Sequence, residues 1–189
     1  AKFGLLALQR RYEEALPLGE ARLDLYEILG LAYLRGGEKK NAVKSFQRAL
    51  KIMPNLGSAR FNLARAYFET GKVSQAISTL RNLENTDYQT EIVRHLLGVA
   101  LFKNGNLIAA ANEFNELLEL SPRNHEALFY LGQIARTQGD NKRALDCFLA
   151  VLEIDAEHFE STFNIGNIYR DKRCFAKALA WFERALKIK

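Results

Sequence analysis

Apolar and polar residues alternate along this chain with the spacing of amphipathic helices. In residues 42–52, AVKSFQRALKI, apolar side chains recur three and four positions apart and the cations between them point outward. Residues 96–122, LLGVALFKNGNLIAAANEFNELLELSP, predict two such helices joined at Asn104 and Gly105. Each has a small residue, Gly98 or Ala110, on its apolar side, where a core normally holds a bulky side chain.

These small residues recur every 34 positions. The position in the first helix holds Gly30, Ala64, Gly98, Gly132 and Gly166. The position in the second helix holds Ala42, Ala76, Ala110, Ala144 and Ala178. The turn between the helices holds Gly37, Gly71, Gly105, Gly139 and Arg173, and a bulky residue four places after the alanine is Phe46, Leu80, Phe114, Phe148 or Phe182. A single period shared by so many positions indicates an internal repeat.

Small residues at these positions set the spacing between two helices. Backbones approach closely only where side chains are small, so a glycine on one helix and an alanine on the other predict a crossing, with Leu and Phe interdigitating around it. One helical hairpin cannot bury both of its faces, so the hairpins must stack on one another. The sequence predicts an all-α chain of stacked antiparallel hairpins.

The pattern resembles the tetratricopeptide repeat family, in which a 34-residue hairpin carries small, aromatic, glycine and proline residues at fixed places. The fullest match is Leu29, Gly30, Tyr33, Gly37, Ala42, Phe46, Ala49 and Pro54. The resemblance implies one right-handed α-solenoid over 1–189, with a partial repeat at 1–22, full repeats at 23–56, 57–90, 91–124 and 125–158, and a truncated repeat at 159–189. The partial repeat is the weakest part of the match and depends on Tyr12, Ala15 and Leu16.

The family resemblance also implies a function. In members of the family, the first helices of the repeats line a concave groove that holds a peptide or helix of a partner protein. The resemblance therefore implies that this chain is a non-catalytic scaffold or adaptor. Carried onto this sequence, the lining positions are Phe61, Asn62, Arg65, Phe68, His95, Phe102, Phe129, Tyr130, Gln133, Arg136, Phe163, Asn164, Asn167 and Arg170. Arginine with aromatics is typical of binding hot spots, and the asparagine amides would hold the ligand backbone.

Each part of this groove has a plainer interpretation. The aromatic residues three places before the small residue could pack between adjacent first helices, and the arginines could form a solvated face or local ion pairs. Two other functions also stay open. The chain could assemble by self-association or stacking through open solenoid ends, since the last helix carries Trp181 and Phe182, or it could be a substrate-selecting region of a larger enzyme.

Composition and charge argue against two further classes of function, nucleic-acid binding and membrane insertion. The net charge of +5 is uneven, because residues 23–56 carry six basic and three acidic residues, whereas 125–158 carry three basic and six acidic residues. This is not the continuous basic stripe of a nucleic-acid binder. No apolar run approaches the roughly 20 residues of a membrane-spanning helix, so no membrane insertion is expected. A cytoplasmic location is the expectation, although no segment of the sequence specifies a compartment.

The sequence has no catalytic constellation. His95, His125 and His158 lack metal-ligand spacing to one another, and no phosphate-binding glycine loop occurs. Cys147 and Cys174 are expected to be ordinary packing or surface residues. No catalytic residue, metal or cofactor is therefore predicted.

Overall fold

The computed structural model describes residues 23–83, 88 and 90–188, so the predicted partial repeat at 1–22 lies outside the described residues. Ten α-helices and no strand occur within that part of the chain. The chain divides into two compact units, 1–104 and 105–189, and the division falls in the turn of the predicted repeat 91–124. Each unit has five of the described helices.

Unit 1 contains α1 to α5. Their bounds are Leu23–Arg35, Lys39–Ile52, Gly57–Glu69, Val73–Arg81 and Thr90–Lys103. Each helix packs against the next, and the first helices α1, α3 and α5 also touch one another in sequence. The core of the first two hairpins lies between α1, α2 and α3, where Leu29, Phe46 and Leu63 are buried together. These hairpins therefore stack as the sequence predicts.

Unit 2 contains α6 to α10. Their bounds are Leu107–Leu120, His125–Thr137, Asn141–Ile154, Phe159–Asp171 and Phe175–Ile188. Successive helices again pack pairwise. Phe148, Ile165 and Ile168 belong to its core, with Phe129 and Trp181 packed on the edge. The hairpins α7–α8 and α9–α10 have the same plan as those of unit 1.

The small first-helix residue receives the aromatic ring of the second helix. A Cβ atom on Gly132 would lie 2.7 Å from Cε1 of Phe148, and one on Gly30 would lie 2.5 Å from the same atom of Phe46. The crossing expected between a small residue and an alanine is thus filled by this ring. The alanine positions Ala42, Ala76, Ala110, Ala144 and Ala178 are all buried, as are Ala64, Gly98 and Gly166.

The turns between paired helices require a left-handed residue. At the end of α1, Gly37 has φ +80° and donates to Leu34 O, while the next amide, Glu38 N, reaches back to Tyr33 O at 2.8 Å. This pair of bonds is the Schellman arrangement, which favours glycine because it has no Cβ. Arg173 takes the same position at φ 58°, and Cys174 N donates to Tyr169 O at 2.9 Å. The turn therefore keeps its geometry where its glycine is missing.

Candidate functional site

The candidate site is the exposed side of the first helices, here called the first-helix face and described separately for each unit. In unit 1 it comprises residues of α3 and α5. The predicted lining residues Phe61, Asn62, Arg65, Phe68, His95 and Phe102 are all half-buried. Helical spacing places Phe61, Arg65 and Phe68 on one side of α3. Their intermediate exposure is compatible with both packing and ligand contact.

Two contacts define the chemistry of this face in unit 1. Lys103 Nζ of α5 lies 4.9 Å from the centroid of the Phe68 ring on α3, a cation–π contact that joins the two helices. Arg65 Nε is buried and has no hydrogen-bond acceptor among the described residues. A buried guanidinium N–H without an acceptor is costly to the fold.

In unit 2 a polar bridge joins the first helices α7 and α9. Arg136 Nη1 donates to Asn164 Oδ1, and Asn164 Nδ2 donates to Glu160 O at 2.7 Å. Asn164 and Asn167 are only 7% and 6% exposed. The amide of Asn164 therefore has partners within the protein on both its oxygen and its nitrogen, and its oxygen orients Arg136. Asn62 on α3 remains half-buried.

The predicted aromatic residues of unit 2 divide into two groups. Phe129 packs toward Phe148 and His158, with ring centroids 5.9 and 5.2 Å away. Tyr130 stacks on Phe114 at 5.0 Å. Both rings serve the packing of α7. The burial of Tyr130, together with the Glu126 carboxylate, raises the pKa of its hydroxyl, so this phenol stays protonated and neutral.

Phe163 differs because 44% of it is exposed. Its ring stacks on Phe159 at 6.0 Å and lies 5.6 Å from Phe182. These contacts fix the Phe163 ring in an aromatic surface on α9, one residue before Asn164 in the sequence. The sequence did not single out Phe159, although an aromatic residue one helical turn before Phe163 is the signal that identifies such a pair.

The last two predicted positions are less distinctive. Gln133 is half-buried, and its backbone carbonyl accepts a hydrogen bond at 2.9 Å from the hydroxyl of Thr137, one helical turn later. Arg170 is exposed and pairs with the neighbouring Asp171 at 3.0 Å. An exposed pair of this kind contributes little to stability, so Arg170 can exchange that partner for a ligand.

His158 caps a helix, and Cys147 is a half-buried free thiol. His158 Nδ1 accepts the Ser161 amide at 3.1 Å and caps the N-terminus of α9, and its ring lies 6.1 Å from that of His125. Burial, the largest influence, raises the pKa of the Cys147 thiol, which lowers its reactivity. Within residues 23–83, 88 and 90–188, no three His, Cys, Asp or Glu residues are grouped to hold a metal.

No described helix is both long and apolar enough to cross a membrane.

The chain is similar to curated proteins, to solved structures and to family models. Among curated proteins, the chain is similar to the protein CTR9 homolog of Arabidopsis thaliana, at 30% identity over 118 residues. That match covers 59% of this chain and 11% of the relative, so the chain spans about a tenth of that protein.

Solved structures share the fold at low identity. A MamA structure from Desulfovibrio magneticus RS-1 superposes with a TM-score of 0.82 at 14% identity, covering 88% of this chain and 94% of that one. YrrB is described as a TPR protein with an unusual peptide-binding site. It superposes with a TM-score of 0.75 at 21% identity, and the match covers 94% of this chain and 92% of YrrB. PilF of Pseudomonas aeruginosa superposes with a TM-score of 0.76 at 20% identity, and the match covers 88% of this chain and 76% of PilF.

Two family models described as tetratricopeptide repeat match residues 34–99 in one case, and 95–157 and 135–189 in the other. Members of this family are α-solenoids that act as protein-interaction scaffolds and are generally non-catalytic. With ten described helices, the 34-residue period and profile matches that together run from 34 to 189, this chain belongs to the tetratricopeptide repeat family.

Proposed function

We propose that this scaffold binds a peptide or helical segment of a partner protein along its first-helix face. The observation that carries the proposal is the exposed aromatic surface of Phe163 in unit 2, whose neighbour in the sequence, Asn164, holds Arg136 of α7. An exposed aromatic ring held by two other rings loses little side-chain entropy when it binds. Aromatic and arginine side chains together are the usual composition of interface hot spots.

The polar groups indicate what the bound segment contains. The exposed guanidinium of Arg170, also in unit 2, pairs with the adjacent Asp171. A guanidinium favours carbonyl or carboxylate oxygens. The segment would therefore carry an apolar anchor for Phe163 and an oxygen acceptor for Arg170. The description of YrrB as having a peptide-binding site supports this mode of binding by analogy of fold.

The test is selection of ligands from a phage-displayed random peptide library on the purified chain. Kd values of the enriched peptides would then be measured by fluorescence anisotropy for wild type and Phe163→Ala. We expect at least a tenfold weaker Kd, since truncating a hot-spot aromatic costs about 2 kcal/mol or more.

The matched control is Phe175→Ala. Phe175 is 66% exposed but begins the second helix α10, away from the first-helix face. It should leave the Kd unchanged, and circular dichroism should show both variants fully helical. Peptides that bind Phe163→Ala as tightly as wild type would refute the proposed site.

A second candidate function is assembly through α10. One side of this helix exposes Phe175, Leu179 and Leu186, at 66%, 60% and 77% of their surfaces. Exposed apolar side chains grouped on a helix favour association. Sedimentation velocity would show concentration-dependent oligomers that Leu179→Glu removes, whereas a monomer at all concentrations would eliminate this candidate.

A further inference from the structure

The second helix α2 has an unusual distribution of charge. Its sequence, KKNAVKSFQRALKI, contains five cations and no acidic residue. Ala42, Val43, Phe46 and Ala49 are buried against the neighbouring helices, which places the cations on the opposite side. This side belongs to a second helix, so it is separate from the first-helix face proposed above to bind a peptide.

A groove follows α2 on this side, between α2 and the α3–α4 hairpin. It consists of two hollows of about 470 and 400 Å³ that share Lys44 and Gln47. The cations that line them are Lys40, Lys44, Arg48, Lys51 and Lys72. Among the described residues, no carboxylate lines either hollow. Five cationic side chains therefore line the groove, and none of the described residues that line it is acidic.

The remaining lining is uncharged. Gln47 Nε2 donates to Tyr67 Oη at 2.9 Å, which forms a polar floor. Val43 and Leu63 add apolar walls. Lys72 lies 5.9 Å from the centroid of the Tyr67 ring, and Arg48 lies 5.8 Å from that of Tyr26, so aromatic faces hold two of the cations.

The same groove exists in unit 2, and its chemistry differs. It lies between α6, α7 and α8, displaced by two periods of 34 residues. Ile108, Asn112 and Asn115 there occupy the positions of Lys40, Lys44 and Gln47. Groove formation thus follows from the hairpin stacking. The two grooves differ in charge, because Arg143 is the one cation among the described lining residues in unit 2, whereas five cations line the groove of unit 1.

We propose that the unit 1 groove binds an extended acidic segment of a protein. Lysines four residues apart on a helix lie about 6 Å apart along its axis, given a rise of about 1.5 Å per residue. Alternate side chains of an extended peptide are about 6.6 Å apart, so successive same-side carboxylates match Lys40 and Lys44. The floor of Gln47 and Tyr67 can exchange hydrogen bonds with the peptide backbone.

The distribution of charge favours a peptide over a nucleic acid. The positions equivalent to Lys40 and Lys44 in the next second helix are Ser74 and Ser78, which are uncharged. The lysines and arginine of α2 therefore span only one helix of 14 residues, about 21 Å at the usual rise. A nucleic-acid backbone is gripped by a longer basic track. A short acidic segment fits this length.

The probe for the test is a fluorescein-labelled decaglutamate peptide, titrated with the chain at low and high salt by anisotropy. We expect saturable binding that weakens with salt and falls at least tenfold in Lys44→Glu/Lys51→Glu. A decaglutamine peptide should not bind. Failure of decaglutamate to bind wild type would overturn the proposal.

A charge-matched control separates the groove from net charge. Lys142→Glu/Lys187→Glu makes the same change on α8 and α10, at exposed positions equivalent to Lys40 and Lys51 in other repeats. It should leave decaglutamate affinity within about twofold of wild type, and equal losses in both variants would refute a specific groove. A labelled decathymidine that binds more tightly than decaglutamate would show a nucleic-acid site and also refute the proposal. Phe163→Ala should leave decaglutamate binding unchanged, which distinguishes this groove from the first-helix face.

Discussion

The two units start their helices differently. In unit 1 the N-cap residues Glu38, Leu56 and Lys72 make no side-chain capping bond. In unit 2 the helices α6 to α9 are each capped by a side chain that accepts a hydrogen bond from the backbone amide three residues later. These N-cap residues are Asn106, Asn124, Asp140 and His158. Each such cap satisfies one of the four amides that a helix leaves open at its start.

The pairing of small and large residues differs in one hairpin of unit 1, whereas the other, α1–α2, pairs Gly30 with Phe46 as unit 2 does. Unit 2 places Phe148 against Gly132 and Phe182 against Gly166. The α3–α4 hairpin of unit 1 instead has Ala64 and Leu80 at these positions, both fully buried. A smaller partner compensates for the added methyl group. Where the N-caps are described, the same hairpin plan is maintained by packing without side-chain capping in unit 1, and by packing with local capping at α6 to α9 in unit 2.

The largest expected effect comes from converting the α7–α8 hairpin of unit 2 to the alanine and leucine pairing of the α3–α4 hairpin. Gly132→Ala alone should destabilise, because overpacking costs about 1–3 kcal/mol and exceeds the gain of about 1 kcal/mol in helix propensity. In the Phe148→Leu background the same change should stabilise, since the methyl group then fills space. Urea unfolding of the four variants would give a coupling energy of about 2 kcal/mol.

Additivity of those two substitutions would contradict the packing account. The control is Gly139→Ala, at a turn glycine with φ +81° and nothing within 4 Å of an added Cβ. Its cost should arise from the backbone conformation and should not depend on residue 148.

The next effect concerns the caps. Asp140→Ala should lower the free energy of unfolding by about 1 kcal/mol, because the Arg143 amide loses its acceptor at 3.0 Å. At the equivalent position of unit 1, Glu38→Asp should raise the free energy of unfolding by about 0.5–1 kcal/mol, because the shorter aspartate side chain suits an N-cap. Hydrogen exchange would locate each change in the first turn of α8 or α2. Equal exchange in wild type and Asp140→Ala would argue against a stabilising cap.

The smallest effect concerns the one described turn of unit 2 that lacks its glycine. Arg173→Gly should raise the free energy of unfolding by about 0.5–1 kcal/mol. Removing the Cβ relieves about 1–2 kcal/mol of left-handed backbone strain, and the greater entropy of glycine in the unfolded chain offsets part of this gain. Differential scanning calorimetry would detect the rise in Tm. The reciprocal Gly139→Arg should lower it, and a Tm unchanged by either substitution would exclude strain at this turn.

Much of the fold could be predicted because it follows from one period. The helices, the left-handed turn at Gly37 and the buried small residues all repeat every 34 residues. The family profiles confirm the tetratricopeptide repeats. The left-handed backbone of Arg173 could not be predicted from that residue itself, because it is imposed by the flanking helices.

The candidate site was less accessible to prediction. Side-chain direction depends on which helix packs alongside, so the period alone could not separate exposed Phe163 from Phe129, which packs on the core. The burial of Asn164 likewise depends on Arg136 from another repeat. The basic groove on α2 had a visible signal, five cations without an acid, but it lies outside the first helices that the resemblance emphasises.

The contact between ring and glycine also restricts the order in which a repeat can diverge. A lineage that moves from the Gly132 and Phe148 pairing to the Ala64 and Leu80 pairing has two routes. Replacing phenylalanine first leaves a gap that the fold tolerates at moderate cost, whereas replacing glycine first drives a methyl group into the ring. Mutational history at this pair therefore has a preferred direction, with the large residue changing before the small one.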